Sequence, residues 1–400
     1  MAAAAAAEAG VVEGRAAAAG GGSGAAAAAA VPSPPTKLGA PAPLDDAGYL
    51  VIDGSEGEGG GQILRSSMSL SALTGTPVKI INIRAGRPKP GLAAQHVVSV
   101  TAAARVSGGK LTGAVLGSRE LVFEPGPRPV PGGVYEFEIG TAGSGCLVLQ
   151  TVLPILLCAA GPSRVRIVKC GTHNPMSPPA DFLQQTFLPQ LAAMGARVSL
   201  VVERHGFFPS GGGVLAVNVE PWAAPVPLNL VERGALADRH LAATVSGGSQ
   251  AVAGRMLAGA RAVLGWKSGD CSEARLKDGS GAGSFLLATA RFAHVTEVAT
   301  GLPDRGVPPE GVGEGAARDL AAYLASDAPV GEHLADQLLL PLALGAGGVF
   351  RATMASSHTT TNMDTLARFL GAGVATCEPL PGTAGVRITV LPARPAGLVE

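Results

Sequence analysis

The sequence predicts an α/β protein in which short sheets are covered by paired helices. Three observations lead there. One order of elements (helix, strand, loop, helix, further strands) returns three times along the chain. The strand-like runs between the helices are short and rich in β-branched residues. A segment from about Gly234 to Asp327 fits none of the copies and has strand-like and helix-like stretches of its own. It reads as a small α/β domain inserted before the third copy.

The first copy opens with a helix-like stretch from Gly59 to near Gly75. It continues through the strand-like "TPVKIINI", the loop "RAGRPKPG" and the helical spacing of "LAAQHVVSVTAAARV". The second begins at Gly143 with "CLVLQTVLPILLCAAG", then "SRVRIVKC", the loop "GTHNPMSPP" and the helix-like "ADFLQQTFLPQLAAMG". The third runs "GEHLADQLLLPLALGAG", "GVFRATMA", the loop "SSHTTTN" and the helix-like "MDTLARFLGAG". Residues 45–233 and 328–400 then make one large domain, with 234–327 inserted. Residues 1–44 are Ala/Gly/Pro low-complexity sequence with no pattern that could build a core, and read as a disordered tail. That tail lacks the basic start and compact apolar run of a secretory signal.

Composition narrows the function classes. Net charge is zero and aromatics are 4% of the 400 residues, which argues against wholesale electrostatic binding of nucleic acid and against a platform that stacks many bases. The five cysteines are odd in number, widely spaced and without a CxxC pair, so neither a disulfide framework nor a structural zinc site is expected. The longest apolar runs are too short and interrupted to span a bilayer. An intracellular soluble protein, nuclear or cytoplasmic, is expected, with organelle targeting by the tail left open.

The polar residues fall on the loops of the copies. "DGSEGEGGGQILRSSMSLSALTG" (53–75) sets Glu56, Glu58 and three consecutive glycines at the mouth of a helix, with Arg65 one turn inside. Glycines let a backbone approach a ligand closely, and a helix N-terminus favours anions. A carboxylate there would repel a bare anion but could hold a metal that travels with one; a tight turn with an exposed acid pair explains the same residues. Arg84 and Arg87 lie on the first strand-to-helix loop, His173 and Asn174 on the second and His358 on the third. If the copies pack about a shared axis, these loops converge on one cleft. Between Gly59 and Arg119 there are eight Lys or Arg and no acid, a local phosphate-binding signal or a solvated basic face. His358 sits in a small, hydroxyl-rich loop, unlike the usual surroundings of a core histidine. As a catalytic group it could be a general base, a metal ligand or a nucleophile towards an α-phosphate.

The block "DGSEGEGGGQILRSSMSLSALTG…IRAGRPKPGLAAQH", with "RHGFFPSGGG" (204–213) and "GEHLADQLLLPLAL…SSHTTTN", closely resembles the RNA 3′-terminal phosphate cyclase family, in family order from about Asp45 onwards. The resemblance implies three βαβαββ-type units like the C-terminal domain of translation initiation factor 3. It implies an ATP-dependent ligase-type reaction at RNA 3′-phosphate ends, through histidine–AMP and RNA–adenylate to a 2′,3′-cyclic phosphate, assisted by a divalent metal (Mg or Mn). No obligate protein partner and no membrane are implied. By resemblance His358 is the nucleophile and Glu58 the metal-side carboxylate. Arg65, Arg84, Arg87 and Gln95 face phosphates. Gln62, Gln150, Pro178, His333, Leu334, Ala335, Asp336 and Gln337 serve ATP, Pro178 lying against adenine. Several family members carry tyrosine where this chain has His333, a departure that touches the adenine contact. Cyclase-like relatives that act in ribosome assembly lack the nucleophilic histidine, whereas His358, Glu58, Arg84 and Arg87 are all present here.

Overall fold

The computed structural model describes residues 38–277, 279 and 281–395; the expected tail falls outside them up to residue 37. The first unit is β1 (Leu50–Asp53), α1 (Gly61–Thr74), β2 (Val78–Ile81), α2 (Ala94–Ser107), β3 (Lys110–Thr112) and β4 (Leu121–Glu124). The crossover through α1 makes β1 and β2 parallel, and the later strands return antiparallel, giving the sheet order β1-β2-β4-β3. Helix α1 stops where Gly75 turns left-handed (φ 76°) and donates its N–H to the carbonyl of Ser71.

The second unit repeats the pattern with β5 (Val134–Glu138), α3 (Gly145–Leu157), β6 (Ser163–Cys170), α4 (Ala180–Phe182), α5 (Leu188–Ala193), β7 (Val198–Arg204) and β8 (Gly213–Val219), in the order β5-β6-β8-β7. A π-helical turn at Leu183–Phe187 joins α4 to α5, so the single helix expected over this stretch is interrupted.

The third sheet begins with β9 (Leu228–Leu230) and then breaks off. The chain builds β10 (Leu236–Ser246), α6 (Ala251–Leu264), β11 (Cys271–Leu276), β12 (Gly283–Phe292), β13 (Thr296–Gly301) and α7 (Pro309–Ala325) before returning. These strands form a separate sheet, β11-β10-β12-β13, on which α6 and α7 pack. The chain then adds α8 (Glu332–Leu344), β14 (Gly348–Ala352), α9 (Ser357–Leu370), β15 (Ala375–Pro379) and β16 (Val386–Val390). Strand β9 pairs parallel with β14, Leu228 beside Gly348, and the sheet runs β15-β16-β14-β9. The insertion thus falls inside the third unit, after its first strand. Sequence reading put it before the unit because three residues of β9 carry too little pattern to register.

Two further expectations need correcting. The hydroxyl-rich "SSHTTTN" is the start of α9, not a loop: Ser356 caps the helix by accepting the Thr359 N–H (3.3 Å). Residues 38–44 are not free of the fold. Gly39 and Ala42 donate their N–H groups to the carbonyls of Ala372 (2.8 Å) and Arg368 (2.9 Å), and Ala42 packs against the core. Backbone groups, which the low-complexity side chains do not reveal, make that attachment.

One contiguous apolar core runs through the units. Helix α1 packs against α2, α3 and α9, and α8 against α9. Ser66, Ser67, Ser69 and Ser71 are all buried on α1. These small side chains let neighbouring helices approach closely, so the start of α1 lies between elements of the first and third units.

Candidate active site

The glycine-rich loop before α1 is held from both sides. Asp53 Oδ1 accepts from the N–H (2.9 Å) and hydroxyl (2.6 Å) of Ser55, and those bonds hold its carboxyl below the usual range. The Glu58 N–H donates to Thr361 Oγ1 on α9 (2.9 Å). Gly57, at φ 57°, lies so close to Thr361 that a Cβ would strike its hydroxyl. The Glu58 carboxylate is largely buried, accepts the Gly60 N–H (2.9 Å) and forms an ion pair with Arg87. A Cβ on Gly60 would collide with that carboxylate. On Gly61 it would lie 2.6 Å from His96 Nε2 and 2.8 Å from Arg65 Nη1. The glycines therefore make room for a carboxylate, an imidazole and a guanidinium around one helix start.

Gln62, one residue on, links this helix to the third unit. Its amide nitrogen donates to Asp336 Oδ2 on α8 (2.7 Å), and its oxygen meets His358 Nδ1 in the first turn of α9 (2.8 Å). Because the amide nitrogen is spent on Asp336, the oxygen faces the ring and Nδ1 must donate. The network so assigns the neutral tautomer with its lone pair on Nε2. The His358 pKa is lowered, first by desolvation; Glu58 opposes this, while Arg65, Arg87 and His333 add to it. Desolvation pushes Asp336 up to about 7 against the pull of Arg65 and Gln62. It also pushes Arg65 down to about 10, with Glu58 and Asp336 opposing. Asn362 Nδ2 donates to the Asp336 carbonyl (2.9 Å), and Ser66 donates to Asn362 Oδ1 (2.8 Å).

Beside this network a pocket opens between α1, α3, α8 and α9. Gln62, Arg65, Gln150, Asp336, Gln337 and Asn362 form its polar side; Leu153, Phe187 and Leu340 are among its apolar lining. Gln150 donates to Gln337 Oε1 (2.7 Å), and Gln337 in turn to the His333 carbonyl (2.6 Å).

The remaining expected residues are placed less centrally. Arg84 Nη1 donates to the carbonyls of Lys89 (3.0 Å) and Gly91 (2.9 Å), folding its own loop. Gln95 Oε1 accepts the Ser144 N–H at the start of α3 (2.9 Å), tying the first unit to the second. His333 is exposed beside Glu332. Leu334 and Ala335 are fully buried core residues, so their side chains serve packing. Pro178 is half-buried on the loop before α4 and does not line the pocket. The second strand-to-helix loop does not join the others: His173 is buried, with Nε2 on Asp181 (2.7 Å) and Nδ1 on Thr172 Oγ1 (2.9 Å), and it stacks on Phe285 of the inserted sheet. Sequence reasoning missed Thr361, Asn362 and His96. For the last, a signal was its place in the first turn of the helix that follows the basic loop.

A family model described as RNA 3′-terminal phosphate cyclase matches residues 56–376. The chain belongs to the RNA 3′-terminal phosphate cyclase family. It is 48% identical to a protein of that name from Ralstonia nicotianae, covering 82% of this chain and 93% of the relative. Similar proteins of the same name come from Koribacter versatilis (44%; 80% of this chain, 90% of the relative) and Salmonella typhimurium (44%; 81% and 94%). The family match spans Glu58, the arginine loop and His358 together.

Proposed function

We propose that the protein converts an RNA 3′-terminal phosphate to a 2′,3′-cyclic phosphodiester at the expense of ATP, with His358 as nucleophile. The observation that carries this reading is the Asp336–Gln62–His358 chain. It holds a neutral imidazole with Nε2 free to attack, beside Arg65 and Arg87. In the first step Nε2 bonds to the α-phosphorus of ATP and pyrophosphate leaves. AMP then passes to an oxygen of the RNA 3′-phosphate, restoring His358. Finally the neighbouring 2′-OH attacks the activated phosphorus, the ring closes and AMP departs. A phosphate monoester has no good leaving group, and adenylation supplies one; the ribose itself holds the 2′-OH at high effective concentration.

Among the described residues no group of three or more His, Cys, Asp or Glu gathers for a metal. A magnesium-like ion needs less, since it takes one or two carboxylates and completes its shell with water and substrate phosphates. Glu58 fits that role, and the ion would neutralise charge on the triphosphate. The pocket with Gln150 and Gln337 is the proposed seat of the nucleoside. The same reading treats the three units as kin to the C-terminal domain of initiation factor 3, with residues 234–327 as an inserted domain. No helix among the described residues is long and apolar enough to cross a membrane.

Incubation with α-labelled ATP and a divalent metal, followed by a denaturing gel, tests the proposal. The expected result is an acid-labile protein–AMP adduct that RNA with a 3′-phosphate discharges. Absence of any adduct overturns it.

A further inference from the structure

His96 has no part in the chemistry above, yet its placement is specific. It lies in the first turn of α2 and is only 5% exposed. Its Nδ1 accepts the Ala93 N–H (3.1 Å), so the single proton of the neutral ring is on Nε2. Burial, reinforced by Arg65 and Arg84, pushes its pKa down to about 3, which keeps the ring neutral at any working pH. Nε2 has no hydrogen-bond partner among the described residues. It is aimed at Gly61, the first residue of α1, within van der Waals reach of the position where Arg65 Nη1 also converges.

Helix α1 runs for 14 residues and starts at Gly60 without a side-chain cap. Its first amides carry the positive end of the helix dipole. Three kinds of donor therefore meet over one helix turn: backbone N–H groups, a guanidinium and an imidazole N–H. All three suit an oxygen of a phosphoryl group. Between two arginines a charged imidazolium would be repelled, whereas a neutral N–H adds a directional bond without further charge.

We propose that the Nε2–H of His96 donates to a phosphoryl oxygen seated over the start of α1 beside Arg65. The oxygen belongs either to the polyphosphate of ATP or to the RNA 3′-phosphate. This rests on the cyclase reading for the identity of the substrates, but the anion seat itself does not.

Two substitutions separate a substrate role from a structural one. His96→Asn keeps an acceptor for the Ala93 N–H and withdraws the distal donor. His96→Gln extends an amide donor towards the Nε2 position and gives up the Ala93 bond. Calorimetry with inorganic pyrophosphate as probe reads the seat directly. Three single-turnover assays then read adduct formation from ATP, AMP transfer to an RNA 3′-phosphate, and ring closure on pre-adenylated RNA. Expected for His96→Asn is a melting temperature near wild type with a tenfold to hundredfold loss, roughly the worth of a hydrogen bond to a charged group. His96→Gln should melt lower yet recover most of that loss. A loss confined to adduct formation, together with weaker pyrophosphate binding, assigns the oxygen to ATP; a loss confined to transfer assigns it to RNA. Wild-type rates and pyrophosphate affinity in His96→Asn overturn the proposal. So does equal impairment of both variants in proportion to lost stability, and if His96→Asn does not fold, a His96→Gln that folds but is as slow as His96→Ala does the same. Should wild type form no adduct while His96→Asn still loses pyrophosphate affinity, the seat stands and the cyclase reading fails.

Discussion

The second unit places a histidine between its second strand and its second helix, the third places one in the first turn of that second helix, and the two residues have opposite surroundings. His173 is sealed, with both ring nitrogens engaged and Phe285 of the inserted sheet stacked on it at 4.1 Å. His358 is exposed and, among the described residues, hydrogen-bonds through Nδ1 alone. The topology gives both nearly the same address. What differs is the partner: His173 meets the carboxylate of Asp181, which spends its second nitrogen, whereas His358 meets a neutral amide that orients the ring and leaves Nε2 unspent. One histidine fastens the insert to the body, and the other is available for chemistry.

Removal of each ring in turn separates the two roles. His358→Ala should abolish the protein–AMP adduct and cyclisation while the melting temperature stays within about 2 °C, since exposed positions contribute little to stability. Retained label in the variant would take His358 out of the mechanism. Arg87→Ala should slow adduct formation by about a hundredfold, and Arg87→Lys should recover part of it, because lysine keeps the charge and loses the planar fork. Equal rates for wild type and Arg87→Ala would leave the Glu58 pair as a structural tie only. His173→Ala should do the reverse of His358→Ala. Loss of a buried ring and of the Asp181 bond should cost about 3 kcal/mol in denaturant unfolding, while adduct formation per folded molecule stays within a few-fold. Undiminished stability would mean that the stacked cluster does not fasten the insert.

The smallest effect concerns a second carboxylate at the seam. Glu297 on β13 is buried against Gly331, the residue before α8, and burial together with Glu332 raises its pKa from 4.5 to about 8. The folded state then holds this proton longer than the unfolded chain does. Its contribution is fully present below about pH 4.5 and is lost as pH rises towards 8. Glu297→Gln should flatten the stability profile across that window and gain on wild type at its upper end. Parallel profiles would show that the carboxyl is not protonated in the fold.

Much of the architecture was legible because apolar periodicity survives in long elements. Helices α1, α2, α3 and α8 and strands β2, β6 and β14 lie where the pattern puts them. The start of α9 was not, since Ser357, Thr359 and Thr360 read as loop until Ser356 is seen to cap them. In the site, the Glu58 loop, Arg65, Gln62, Asp336 and His358 do come together. The expectation that the second loop would join them fails because a histidine's neighbours, not its repeat position, decide where it points. His96 and Thr361 act across long stretches of sequence, through contacts that no local pattern encodes.

The entry and exit of the inserted segment lie in one bracket. Arg233 donates to the carbonyls of Tyr323, Leu324 and Ser326, and its guanidinium lies 4.7 Å from the ring centre of Phe292. Arg351 spans Val231 and Asp327. To the rest of the molecule the insert is therefore a closed handle with adjoining ends. Once it has folded, the separation between β9 and β14 shrinks to that of an ordinary crossover through α8, and the entropic cost of their pairing falls accordingly. A short peptide bridge could replace the handle without moving either strand, and new chain termini could be opened within it. The third unit, severed in sequence, remains whole in space.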